Sequence, residues 1–126
     1  MQTSVQMTKI FAQDDFNTFA ALSGDYNPIH VDPEYASNTR FGKPVAHGAL
    51  LVTILRGLTE QLLAGGKQIS HAVKFPAPTF AGEALEFSAS MTKQSNGAHH
   101  IALQVRNLKT GTVSCEGEAI VKQKKA

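Results

Sequence analysis

Asp25, Asn27 and His30 share the hexapeptide DYNPIH, and His47-Gly48 stand at the head of an apolar run further along. A carboxylate and an imidazole that share one water can take a proton from it and deliver another. Pro28 fixes its own φ and pushes Asn27 toward an extended conformation, so the turn can aim Asp25 and His30 at a common point. Asn27 can bond its own backbone or hold a neighbouring loop. Gly48 sits where a helix begins. Free N–H groups there, with the helix dipole behind them, suit a carbonyl oxygen that becomes negative in a transition state, and glycine permits close approach. The same residues also suit plainer roles. Asp and Asn beside Pro are ordinary turn formers, His30 can be a satisfied loop residue, and Gly48 and His47 can serve packing or capping. Asp25, His30 and His47 could also compose a two-His-one-carboxylate metal set. No HxxxH helix or paired-Cys spacing supports that, and no metal is expected.

Other chemistries lack their residues. No GxSxG elbow and no Walker or Rossmann glycine loop occurs. Cys115, the single cysteine, permits no intrachain disulfide and is expected in the core of a strand. His99 and His100 are adjacent on a strand, so they face opposite ways and form no ligand pair.

The elements that must position the candidate residues fit one domain over residues 1–126. At 42% hydrophobic the chain can bury a core, although a small domain buries a smaller share of its surface, which favours oligomerisation. A net charge of +2 with scattered basic residues gives no case for nucleic acid, and the terminal KQKK reads as a solvated tail. No apolar stretch resembles a secretory leader or a membrane span. A cytoplasmic setting is expected.

Met7–Ala12 read as a short strand, and DDFNTFAALSG as a helix with acids at its start and Gly24 at its end. DYNPIHVDP reads as a loop, followed by a short helix that Asp32 caps and Pro33 opens. HGALLVTILRGLTEQLLAGG is the clearest helix. Leu51, Ile54, Leu55, Leu58 and Leu62 form its apolar stripe, Thr53, Arg56 and Glu60 share the other face, and Gly65-Gly66 end it. The second half changes to period two: EALEFSASM, HIALQVRNL and TVSCEGEAIV alternate as strands with one buried face. QSNGAH and LKTGTV supply the turns of an antiparallel meander. ISHAVKFPAPTF reads as a fourth strand, at an edge or bulged near Pro76 and Pro78. The architecture expected is α+β, a long helix wrapped by a curved antiparallel sheet.

FAALSGDYNPIHVDPEYASNTRFGKPVAHGALL resembles the hydratase-2 motif of MaoC-like (R)-specific enoyl-CoA hydratases and hydroxyacyl-thioester dehydratases. FPAPTFAGEALEF is similar to that family's F-x-x-P-x-x-x-G-[DE] segment, and EGEAIVK to its last strand, so the resemblance spans nearly the whole chain. It implies a hotdog fold, a homodimer with joined sheets, and an acyl thioester of coenzyme A or acyl carrier protein as substrate, with no separate cofactor. It further implies that Asp25 and His30 are the catalytic pair, that the Gly48 N–H binds the thioester oxygen, and that Asn27 and His47 shape loop and pocket.

One departure stands out. Relatives often carry Ser where this chain has Arg56. Arg56 is expected to reach the active site and pair with Asp25, weakening it as a base; the alternative is a solvent-side pair with Glu60. A hotdog thioesterase and a non-catalytic acyl-thioester-binding module remain as rival functions, and Arg56 is what keeps the second in play.

Overall fold

The computed structural model describes residues 2–123. The element order is β1 (Ser4–Ile10), α1 (Gln13–Ser23), α2 (Pro28–Val31), α3 (Pro33–Ser37), α4 (Gly48–Leu62), β2 (Lys67–Lys74), β3 (Ala84–Ser95), β4 (Ala98–Asn107) and β5 (Val113–Lys122). The five strands form one antiparallel sheet in the order β1-β3-β4-β5-β2.

The period-two segments become the central meander. Leu85, Phe87 and Ala89 of β3, Ile101, Leu103 and Val105 of β4, and Cys115, Ala119 and Val121 of β5 are buried on one face. Against them α4 lays Leu50, Leu51, Leu55 and Leu58, so the α+β plan of a helix held in a curved sheet is the one observed. Each of the Leu, Ile, Val and Phe side chains contributes about 1.5–3 kcal/mol on burial. The hairpin between β3 and β4 turns at Asn96, whose φ of 53° suits the primed turns that match strand twist. His99 is buried and reaches Gln123 Oε1, while His100 faces the other way and pairs with Glu118, as adjacent strand residues must.

Phe16 docks α1 on this core. Its ring lies 5.9 Å from that of Phe11, which in turn meets Phe87 edge-on at 6.1 Å. Such tilted pairs are the favoured aromatic arrangements. The anchoring fixes the end of α1, where Gly24 caps the helix and releases the chain into Asp25.

Several boundaries differ from expectation. The first strand begins and ends earlier, at Ser4–Ile10, because its partner β3 runs to Ser95 and is free to pair from Ala84 to Ser90. The segment expected to be a plain loop contains α2, a single turn that Pro28 opens and Asn27 caps. The fourth strand is an edge strand, but it stops at Lys74, before both prolines, and its register shift lies at Gln68/Ser70. A proline supplies no ladder donor, so the strand ends where the prolines begin. The terminal KQKK is not wholly a solvated tail. Lys122 pairs in β5 and Gln123 N–H donates to Gly97 O, while Lys124 and Lys125 lie outside the described residues.

Candidate active site

Ser23 starts the site. Its hydroxyl donates to Phe19 O at 2.7 Å and accepts the Asp25 N–H at 3.1 Å, turning the chain sharply after α1. Asp25 Oδ1 then accepts the Asn27 N–H, and Asn27 Oδ1 accepts the Ile29 N–H, each at 3.1 Å. These side-chain turns are the ones Asp and Asn make readily. They occupy Asp25 Oδ1 and leave Oδ2 for His30. α2 follows, carrying His30 in its only turn.

Val45 holds that turn from the far end of the motif. Its N–H donates to Ile29 O at 3.0 Å, and its carbonyl lies 2.8 Å from His30 Nδ1. A carbonyl only accepts, so Nδ1 carries a proton, and in the neutral form of the ring Nε2 presents its lone pair. Nε2 faces Asp25 Oδ2 at 3.9 Å, the His30 side chain being 14% exposed and that of Asp25 54%. Gln13 Nε2 donates to His30 O at 2.8 Å, tying the turn to α1 as well.

His47 lies beneath this pair. It is buried, stacked on His30 with ring centroids 3.9 Å apart, and met edge-on by Phe19 at 5.0 Å. Its Nε2 is 3.0 Å from Asp25 O, so it donates there, and Nδ1 is buried with no partner. His47 occupies the position before α4 but makes no side-chain cap. It therefore packs and orients rather than caps. Asp25, His30 and His47 each bring a potential ligand atom within 4.8 Å of the others. The convergence is closer than the spacing indicated. Stacked rings, however, keep their in-plane lone pairs in nearly parallel planes, a poor fit to one shared ion, and His47 Nε2 is already committed to Asp25 O.

Gly48 opens α4, and its N–H belongs to the first turn, which has no intrahelical acceptors. A Cβ at Gly48 would stand 2.8 Å from Phe75 Cζ, so glycine is what lets that ring approach the helix start. Gly48, Val45, Ala46, Leu51, Phe75 and Thr79 line a cleft of about 580 Å³. Asp25, His30 and His47 do not line it; Val45, whose carbonyl holds His30, is shared between cleft and acid–base pair.

Arg56 departs from expectation. Its guanidinium donates to Thr59 Oγ1 at 3.0 Å and lies 3.7 Å from Glu60, with no contact to Asp25. The one-turn spacing to Glu60 brings that carboxylate within reach, while Asp25 lies on a separate loop. The Arg56 charge is felt instead on β2: burial first, and Arg56 second, hold His71 below its ordinary value. Cys115 is fully buried, and burial, then Glu116, push its thiol up to about 11, which makes it a core residue rather than a nucleophile.

Residues 1–113 match the model of the MaoC like domain. The chain belongs to the MaoC-like family. A family member from Aeromonas caviae, an (R)-specific enoyl-CoA hydratase, is 33% identical over 93% of this chain and 90% of its own. An enzyme of the same description from Rhodospirillum rubrum is 30% identical over 94% and 83%. The solved (R)-hydratase from A. caviae superposes with a TM-score of 0.90, covering 98% of both chains at 28% identity. The hotdog arrangement expected from the MaoC-like motif is thus shared with a solved family member over 98% of its length.

Four contributors escaped the sequence. Ser23 and Gln13 act through side-chain bonds to distant or turning backbone, and Val45 through its carbonyl, none of which a residue type announces. Phe75 did carry a signal, as the first residue of the F-x-x-P segment, but nothing in one dimension placed it on Gly48.

Proposed function

We propose that this chain catalyses the reversible hydration of trans-2-enoyl thioesters to (R)-3-hydroxyacyl thioesters, with Asp25 and His30 as the acid–base pair. The observation that carries this reading is the pair of acceptors, His30 Nε2 and Asp25 Oδ2, held 3.9 Å apart. That gap is too long for a direct bond, but a water at about 2.8 Å from each would donate to both at an angle of roughly 90°. The two acceptors would polarise one oxygen toward one point.

In this mechanism the water attacks Cβ of the enoyl thioester while Asp25 takes one of its protons. Charge gathers on the thioester oxygen, where the Gly48 N–H and the start of α4 stabilise the enolate. His30 orients the water and helps return the proton that Asp25 has taken to Cα on the same face, so H and OH add together and the protein ends in its starting state. Asn27 and His47 keep the pair in register, the first through α2 and the second through Asp25 O. The chemistry is acid–base throughout and draws on no separate cofactor.

A homodimer completes the reading. β2 is a sheet edge with Ile69 exposed, and pairing there with a second copy would extend the sheet and cover it. Among the described residues no helix is long and apolar enough to cross a membrane, and a cytoplasmic location is proposed. Arg56 would support a non-catalytic binding module if it neutralised Asp25; its partnership with Glu60 leaves Oδ2 open and favours catalysis.

Crotonyl-CoA with the purified protein tests the proposal. Loss of the conjugated enoyl absorbance without release of thiol is expected. Thiol release at the same rate would indicate a thioesterase, and neither signal with crotonyl, hexenoyl or decenoyl substrates would indicate a binding module.

A further inference from the structure

The segment between α3 and α4 carries two cations, Arg40 and Lys43, whose positions the acid–base chemistry does not explain. Arg40 stands over the Phe41 ring, its guanidinium carbon 4.7 Å from the centroid. Lys43 Nζ stands 4.8 Å from the centroid of Phe80. Such contacts orient a cation and strip part of its water without neutralising it. Among the described residues Arg56 and Arg106 each have a carboxylate within ion-pairing distance, and Arg40 and Lys43 do not.

Arg40 and Phe41 line one cleft together with Gly48. Lys43 does not line it but stands over Phe80, which adjoins the lining residue Thr79 and bridges to the lining residue Val45. The cleft therefore offers a free helix-start N–H, an apolar wall of Leu51 and Phe75, and positive charge, along one surface. A thioester of a phosphorylated pantetheine carries the matching sequence of groups: a carbonyl, a long uncharged arm, and phosphate. A guanidinium fork and an ammonium are the side chains best suited to phosphate oxygens.

We propose that Arg40 and Lys43 form the phosphate subsite for the thiol carrier of the substrate. The assignment rests on the thioester reading above and adds to it the groups that recognise the carrier. Coenzyme A and the phosphopantetheine arm of a carrier protein share this phosphate chemistry.

The test compares three crotonyl thioesters, of coenzyme A, of 4′-phosphopantetheine and of unphosphorylated pantetheine, on the parent protein and an Arg40→Gln/Lys43→Gln variant. In the variant the preference for crotonyl-CoA over crotonyl-pantetheine, as a ratio of kcat/KM, falls about tenfold, through KM rather than kcat. A matching fall for the phosphopantetheine thioester assigns the phosphate beside the arm, common to both carriers; a fall confined to crotonyl-CoA assigns its nucleotide phosphates. An unchanged ratio overturns the subsite while leaving hydration itself intact. Calorimetric binding of free coenzyme A to parent and variant reads the subsite without turnover, and equal affinity there also overturns it.

Discussion

The buried half of the molecule and the Ser23–Gly48 segment hold their shapes by opposite means. Between α4 and the sheet, stability comes from apolar burial, which has no direction: Leu55, Phe87, Ile101 and Val105 are all fully buried, and any chain with their pattern and volume would fold similarly. The motif segment buries little beyond Ala36, Pro44, Val45, Ala46 and His47. It is held by directional bonds: Asp25 to Asn27, Asn27 to Ile29, Asp32 to Glu34 and Tyr35, His30 to Val45, His47 to Asp25. The first region tolerates exchange of like for like. The second fixes where individual atoms sit, as a site that shares one water between two side chains requires.

Substitutions should separate the two. Phe87→Ala removes the centre of the core and its edge contact with Phe11, and should cost about 3–5 kcal/mol in chemical denaturation; a loss under about 1 kcal/mol would mean that the core is not where stability lies. Asn27→Ala removes the cap of α2 and should cost only about 1 kcal/mol. Because His30 rides on that turn, enoyl hydration should fall about tenfold or more, well beyond the stability loss. Equal activity would place Asn27 outside the machinery.

The smallest effect concerns acid. His71 titrates below its ordinary 6.5 in the folded chain, through burial and then Arg56. The unfolded chain therefore binds the proton first as pH falls. The stability that neutral His71 supports is complete above 6.5 and is lost as pH drops from there through the lower folded value. Melting temperature should fall between pH 7.5 and 5.5, and less so in His71→Asn; identical pH profiles would remove His71 from the cause.

The same contrast explains what was legible in the sequence. The period-two strands and the stripe on α4 are repeated signals, so the helix-in-sheet architecture could be read from Leu51, Leu55, Leu85 and Phe87 without tertiary knowledge. Asp32-Pro33 announced α3, yet Asn27-Pro28, the same cap-and-proline grammar, was obscured by the residues that resemble chemistry. Arg56 shows the limit from the other side. Its place in the motif pointed to Asp25, while its pairing with Glu60 depended on a rotamer that no sequence specifies. The stack of His47 on His30 joins the start of α4 to α2 through the fold, and residue spacing alone carries no trace of it.

One experiment bears on both halves at once: crotonyl-CoA hydration and thermal unfolding of Asp25→Asn beside the parent protein. The amide can still accept the Asn27 N–H, so unfolding should change by no more than about 0.5 kcal/mol. Loss of the base should lower the rate by roughly 10²–10⁴. A variant that keeps both its stability and its rate would contradict the assignment of Asp25 and, with it, the shared-water mechanism.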